Sequence, residues 1–96
     1  MFHRFGTGNV EDLELQRFPK LRVLHLQSNS LSHLAGLNSC TSLQEIVLNK
    51  NRIRQLDADS FAGLGVVSEL HLQENGLRSL AHISELSSLQ SLHLGV

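Results

Sequence analysis

Aliphatic and polar positions recur along this chain in one phrase: Leu21-x-x-Leu24-x-Leu26-x-x-Asn29-x-Leu31, then Leu43-x-x-Ile46-x-Leu48-x-x-Asn51-x-Ile53, then Val67-x-x-Leu70-x-Leu72-x-x-Asn75-x-Leu77. The leading aliphatics are offset by 22, 24 and 22 residues through to Leu89, where a fourth phrase, Leu89-x-x-Leu92-x-Leu94, begins. A period in this range marks a stack of similar supersecondary units. Within each phrase, Leu24-His25-Leu26, Ile46-Val47-Leu48, Leu70-His71-Leu72 and Leu92-His93-Leu94 follow the period of two that strands impose, so the flanking aliphatics point in and the middle residue points out. One strand per repeat, each followed by a return crossing, makes the strands parallel. Parallel sheets are ordinarily covered on both faces, and the open concave face of a solenoid is the exception.

The return segments carry a second aliphatic series at three-residue spacing: Leu31, Leu34, Leu37 and Cys40, and again Leu77, Leu80, Ile83 and Leu86. That spacing suits 3₁₀ or short helical turns. The expected fold class is therefore α/β: a curved, right-handed solenoid with short parallel strands on the concave face and tight turns on the convex one. The stretch from Leu56 to Leu64 is two residues longer than its counterparts; it places Phe61 and Leu64 inward and offers Asp57 or Asp59 to cap a short helix. Val10, Leu13, Leu15 and Phe18 read as the apolar side of the convex half of a preceding repeat whose strand is missing or degraded, with an N-terminal cap as the competing reading. The expected organisation is a poorly ordered stretch over 1–9, a partial repeat over 10–20, repeats over 21–42, 43–66 and 67–88, and a truncated repeat over 89–96. Leu89, Leu92, Leu94 and Val96 turn inward with nothing following to cover them, which predicts a fragment of a longer array and self-association through that uncapped end.

Asn29, Asn51 and Asn75 stand where the chain leaves each strand and turns. A turn strands backbone donors and acceptors, and a buried carboxamide satisfies both kinds with its oxygen and its nitrogen. Stacked, the three form a structural ladder.

Composition narrows the partners. Eight Lys and Arg stand against nine Asp and Glu, for a formal charge of −1, and Trp and Tyr are absent, so the electrostatic footprint of a nucleic-acid binder is missing. No apolar run resembles a membrane span or a signal peptide, so no membrane partner is expected. Cys40 is the single cysteine, which excludes an internal disulfide, and its place in the aliphatic series marks it as core.

Residues 10–96 resemble the leucine-rich repeat family, in its intracellular class with a 22-residue period. Within it, the order Leu24-His-Leu-Gln-Ser-Asn29, Asn51-Arg-Ile-Arg54, Leu70-His-Leu-Gln-Glu-Asn75 and Leu92-His-Leu-Gly95 is similar to the C-terminal repeats of a large, cilia-associated member. The resemblance implies a non-catalytic protein-interaction or scaffolding module that binds a protein partner on its concave face. Extracellular members commonly close their ends with cysteine-bridged caps, so the expected location is cytoplasmic, with the cilium as a specific address.

The strand register lists the concave surface. Val23, Glu45, Glu69 and Ser91 form one outward row; His25, Val47, His71 and His93 form the next; Gln27, Asn49 and Gln73 form a third, with Lys50 and Glu74 at the rim. Arg52, Arg54 and Arg78 leave the strands together as a basic ridge suited to an acidic partner. His71 and His93 should lie about one strand spacing, roughly 5 Å, apart. With Glu69 they make up an alternative reading, a metal-binding or metal-dependent site. Against it, Val47 interrupts the histidine row, and the expectation is no metal and no cofactor. Phosphate-loop, nucleophile-elbow and zinc-protease motifs are absent, and the serines occupy turn positions where capping explains them, so no catalytic residue is assigned.

Overall fold

The computed structural model describes Val10 and residues 14–57 and 60–95. The expectation of poor order over 1–9, the inward placement of Leu13 and Val96, and the capping role of Asp59 lie outside the described residues. The described chain forms one sheet from β1 (Val23–His25), β2 (Glu45–Val47), β3 (Glu69–His71) and β4 (Ser91–His93), parallel and in sequence order. The Cα register aligns Leu24, Ile46, Leu70 and Leu92, and each neighbouring pair of strands is one repeat apart. Hydrogen bonds extend the ladder past the strand ends: the Leu26 N–H donates to Val47 O at 2.8 Å, Leu48 to His71 O at 2.9 Å, and Leu72 to His93 O at 2.8 Å. The repeat spacing thus produces a solenoid: each strand pairs only with its neighbours in the stack.

Behind the sheet the aliphatics close a single core. Leu24, Leu26, Ile46, Leu48 and Leu70 are fully buried, as are Leu31, Leu37, Cys40, Ile53 and Phe61 from the return segments. Tight 3₁₀ turns at Leu15–Arg17, Leu37–Ser39 and Ile83–Glu85 carry the convex side. Three-residue spacing puts successive aliphatics on the same side of such a turn, which is why Leu34, Leu37 and Cys40 all face inward. The Cys40 thiol donates to Leu15 O and Phe18 O at 3.5 and 3.4 Å, and burial raises its pKa above that of an ordinary thiol. A buried, protonated thiol is a weak nucleophile.

Among the described residues, no helix spans the long middle segment. There the Asp57 N–H donates to Ser60 Oγ at 2.9 Å and the Ser60 N–H donates to Asp57 O at 3.0 Å. Beyond Ser60, Phe61 and Leu64 are buried in the inward register. Three apolar side chains at the ends of the stack are exposed: Phe18 at 46%, Leu80 at 49% and Leu94 at 37%. Leu34 and Leu56 hold the position equivalent to Leu80 in their repeats and are buried because a further repeat stacks on them, which does not happen at Leu80. No helix among the described residues is long and apolar enough to cross a membrane.

Candidate functional site

The open face of the sheet is built by the strand register and held from behind by three asparagines. Asn29, Asn51 and Asn75 are at most 6% exposed. The Asn51 carboxamide oxygen accepts the N–H groups of Asn29, Ser30 and Leu31, at 3.1, 2.9 and 2.9 Å, and its nitrogen donates to Leu26 O and Leu48 O at 3.0 and 2.8 Å. Asn75 repeats the pattern one step along: its oxygen accepts from the Ile53 N–H at 3.0 Å, and its nitrogen donates to Leu48 O and Leu72 O at 3.0 Å each. Asn29 donates to Leu26 O at 2.9 Å. Asn51 and Asn75 thus tie their own strand ends to the repeat before them, meeting backbone groups that have no partner in regular structure.

On the other side of the strands, Val23, Glu45, Glu69 and Ser91 align in one row, and His25, Val47, His71 and His93 in the next. Gln27, Asn49 and Gln73 are half-buried beyond them. The rows differ from a uniform solvated wall in their charge. Glu45 and Glu69 stand directly opposite each other on β2 and β3, an arrangement of like charges that costs stability. Each carboxylate accepts from an imidazole: His25 Nε2 lies 3.0 Å from Glu45 Oε2, and His71 Nε2 lies 2.5 Å from Glu69 Oε2. The His71 and His93 rings are stacked, with centroids 4.0 Å apart and planes 5° from parallel. The buried amide oxygens of Gln27 and Gln73 have no hydrogen-bond donor.

The three arginines do not act as one ridge. Arg54 turns back so that its guanidinium donates to the backbone oxygen of Asn75, and with Arg52, Ser32, His33, Gln55 and Asp57 it lines a cleft of about 220 Å³. Arg78 lines a second cleft, of about 280 Å³, with Leu77, Ser79, Leu80 and Leu94 at the far end of the stack. Arg54 and Arg78 remain adjacent through their backbones, the Arg78 N–H donating to Arg54 O at 2.8 Å.

Several features of the wall had no signal in the sequence. Ser28, Lys50 and Glu74, each one residue before a ladder asparagine, hold positive φ angles of 61°, 61° and 60°. A left-handed residue there turns the asparagine inward, yet none of the three is a glycine, the residue type that would have announced the conformation. The pairing of each glutamate with a histidine depends on side-chain rotamers, which spacing does not specify.

Two family models match the chain. One, described as "Leucine rich repeat", covers residues 41–95, and the other, "Leucine Rich repeats (2 copies)", covers residues 9–62. Among curated proteins, the chain is similar to leucine-rich repeat-containing G-protein coupled receptor 6 of Homo sapiens, with 45% identity over 51% of this chain and 5% of the receptor. The receptor of the same name from Danio rerio is 43% identical over 62% of this chain and 8% of its own length. Leucine-rich repeat-containing G-protein coupled receptor 4 of Xenopus tropicalis is 33% identical over 58% of this chain and 7% of its own length. The chain therefore spans less than a tenth of these relatives. No solved structure matches it. With asparagine-closed phrases in the sequence, four stacked parallel strands in the structure and a family match over more than half its length, the chain belongs to the leucine-rich repeat family.

Proposed function

We propose that this chain is a non-catalytic protein-interaction module, and that its partner docks on the face formed by Val23, His25, Gln27, Glu45, Val47, Asn49, Glu69, His71, Gln73 and His93. The observation that carries the reading is the opposed pair Glu45 and Glu69, two acidic residues at register-paired positions on an open, hydrogen-bonded sheet. Their mutual repulsion works against folding, and a cationic side chain from a partner, set between them, relieves it. Rotation of the Gln27 and Gln73 carboxamides would offer their unpartnered oxygens to the same partner's N–H groups. Protein binding is the general role of leucine-rich repeat chains. The receptors similar to this one are many times longer, and their activity is not carried over.

The test is charge reversal. Glu45→Lys together with Glu69→Lys should abolish recovery of partners bound by the wild-type chain, and Glu85→Lys, on the convex Ile83–Glu85 turn, should leave recovery unchanged. Loss of partners with the convex change alone would overturn the choice of face.

The same reading keeps the chain in the cytoplasm, with the cilium as a specific address. Cys40, a free thiol buried in the core, is in keeping with a reducing compartment. It also includes self-association of two copies through the last strand. β4 is an edge of the sheet, and Leu80 and Leu94 beside it are exposed. An unpaired edge beside apolar surface invites a second chain. Light scattering over a rising concentration series should show the mass increase, and Leu80→Glu with Leu94→Glu should hold the chain monomeric. A wild-type chain that stays monomeric throughout would contradict this.

A further inference from the structure

Glu69, His71 and His93 do more than line the wall. One ligand atom from each, a carboxylate oxygen and two ring nitrogens, all lie within 4.8 Å of one another. They come from two adjacent strands whose spacing is fixed by the sheet: His71 and His93 are register partners, and Glu69 precedes His71 by two residues, so it projects from the same face. The two rings are stacked with centroids 4.0 Å apart, so a tilt of the imidazoles toward each other lets one nitrogen from each reach a common point. Glu69 and His71 are half-buried, which leaves less hydration to displace than at a freely exposed cluster.

We propose that Glu69, His71 and His93 form a three-ligand site for a zinc-class divalent cation on the open face of the sheet. Zinc bonds of about 2.0–2.2 Å in a tetrahedral arrangement require ligand atoms roughly 3.3 Å apart. The 2.5 Å His71–Glu69 contact opens by less than about an ångström to reach that separation, and the His93 nitrogen, within 4.8 Å of the other two ligand atoms, closes by at most about 1.5 Å. Both moves are side-chain rotations; the strands stay in place. The cation replaces the hydrogen bond between His71 Nε2 and Glu69 Oε2, and the fourth coordination position faces solvent and takes water. Two imidazoles with one carboxylate favour zinc, nickel or copper over calcium and magnesium, which prefer all-oxygen shells.

The structure supplies its own control. His25 and Glu45 form a similar pair on β1 and β2, but Val47 occupies the register position where a second imidazole would stand. That pair offers two ligands and should bind weakly.

Isothermal titration of the untagged full chain with zinc alone, and with calcium for comparison, tests the proposal. One zinc per chain is expected, with no calcium binding. His71→Ala and His93→Ala should each weaken zinc binding by at least about tenfold, a loss that even outer-sphere changes commonly produce. The isosteric Glu69→Gln should weaken it as well, and His25→Ala should not. Thermal melts of each variant establish that it is folded. Absence of stoichiometric zinc binding by the wild-type chain, or unchanged affinity in the folded His71→Ala and His93→Ala double variant, would overturn the site. No partner protein enters the measurement, so its outcome is separate from that of the protein-binding reading.

Discussion

Asn51→Leu is expected to destabilise the chain by about 3–9 kcal/mol, because it leaves three backbone N–H groups without their acceptor at roughly 1–3 kcal/mol per stranded buried group. Those donors belong to Asn29, Ser30 and Leu31, and the same change takes the Asn51 donor away from Leu26 O and Leu48 O. Leucine keeps the volume, so the penalty reports polar satisfaction and not a cavity. Domains are commonly stable by only about 5–15 kcal/mol, so the change removes a large share of the total. Asn49→Leu is the matched control. Asn49 is half-buried on the open face, and its contribution to the ladder is a backbone oxygen that accepts from Ser28, which any residue retains. Urea melts should place Asn49→Leu within about 0.5 kcal/mol of wild type. Equal midpoints for Asn51→Leu and wild type would mean that the ladder contributes nothing.

The second large effect lies one step along the same strand. Leu48 is fully buried behind β2, and Leu48→Ala should cost about 2–5 kcal/mol through lost burial and the cavity left behind. Val47 is half-buried on the open face between His25 and His71, and Val47→Ala should cost less than about 1 kcal/mol. The size order of the two penalties, read from denaturant midpoints at constant slope, checks which face is the core. Equal penalties would contradict the register.

Much of this architecture was legible because its determinants are local and periodic. Leu24, Ile46 and Leu70 declare their inward direction by alternation with His25, Val47 and His71, and the asparagines by their fixed distance from the strand. The 3₁₀ turns follow from aliphatics three residues apart. What escaped was decided by neighbours distant in sequence. Phe18 and Leu80 carry the same inward pattern as buried residues, but burial at the end of a stack depends on what stacks next. Arg54 was assigned to a shared ridge, and its guanidinium instead meets the Asn75 carbonyl one repeat away. The outward rows could be listed by register, but the Glu45–His25 and Glu69–His71 contacts could not, since a two-residue period fixes the face and not the rotamer. The opposed glutamates are a case where local rules and stability disagree. Such disagreements are expected where a surface is kept for binding, and Glu45→Gln is therefore expected to leave stability unchanged or slightly raised.

Photo-crosslinking from single positions tests the concave face as the partner-binding surface most directly. With a photoreactive residue at Val47, between the two glutamate–histidine pairs, partner peptides should be captured, and capture should fall when Glu45→Lys and Glu69→Lys are combined with it. With the same residue at Glu85 on the convex turn, none should be captured. Capture from position 85 with none from position 47 would contradict the central claim.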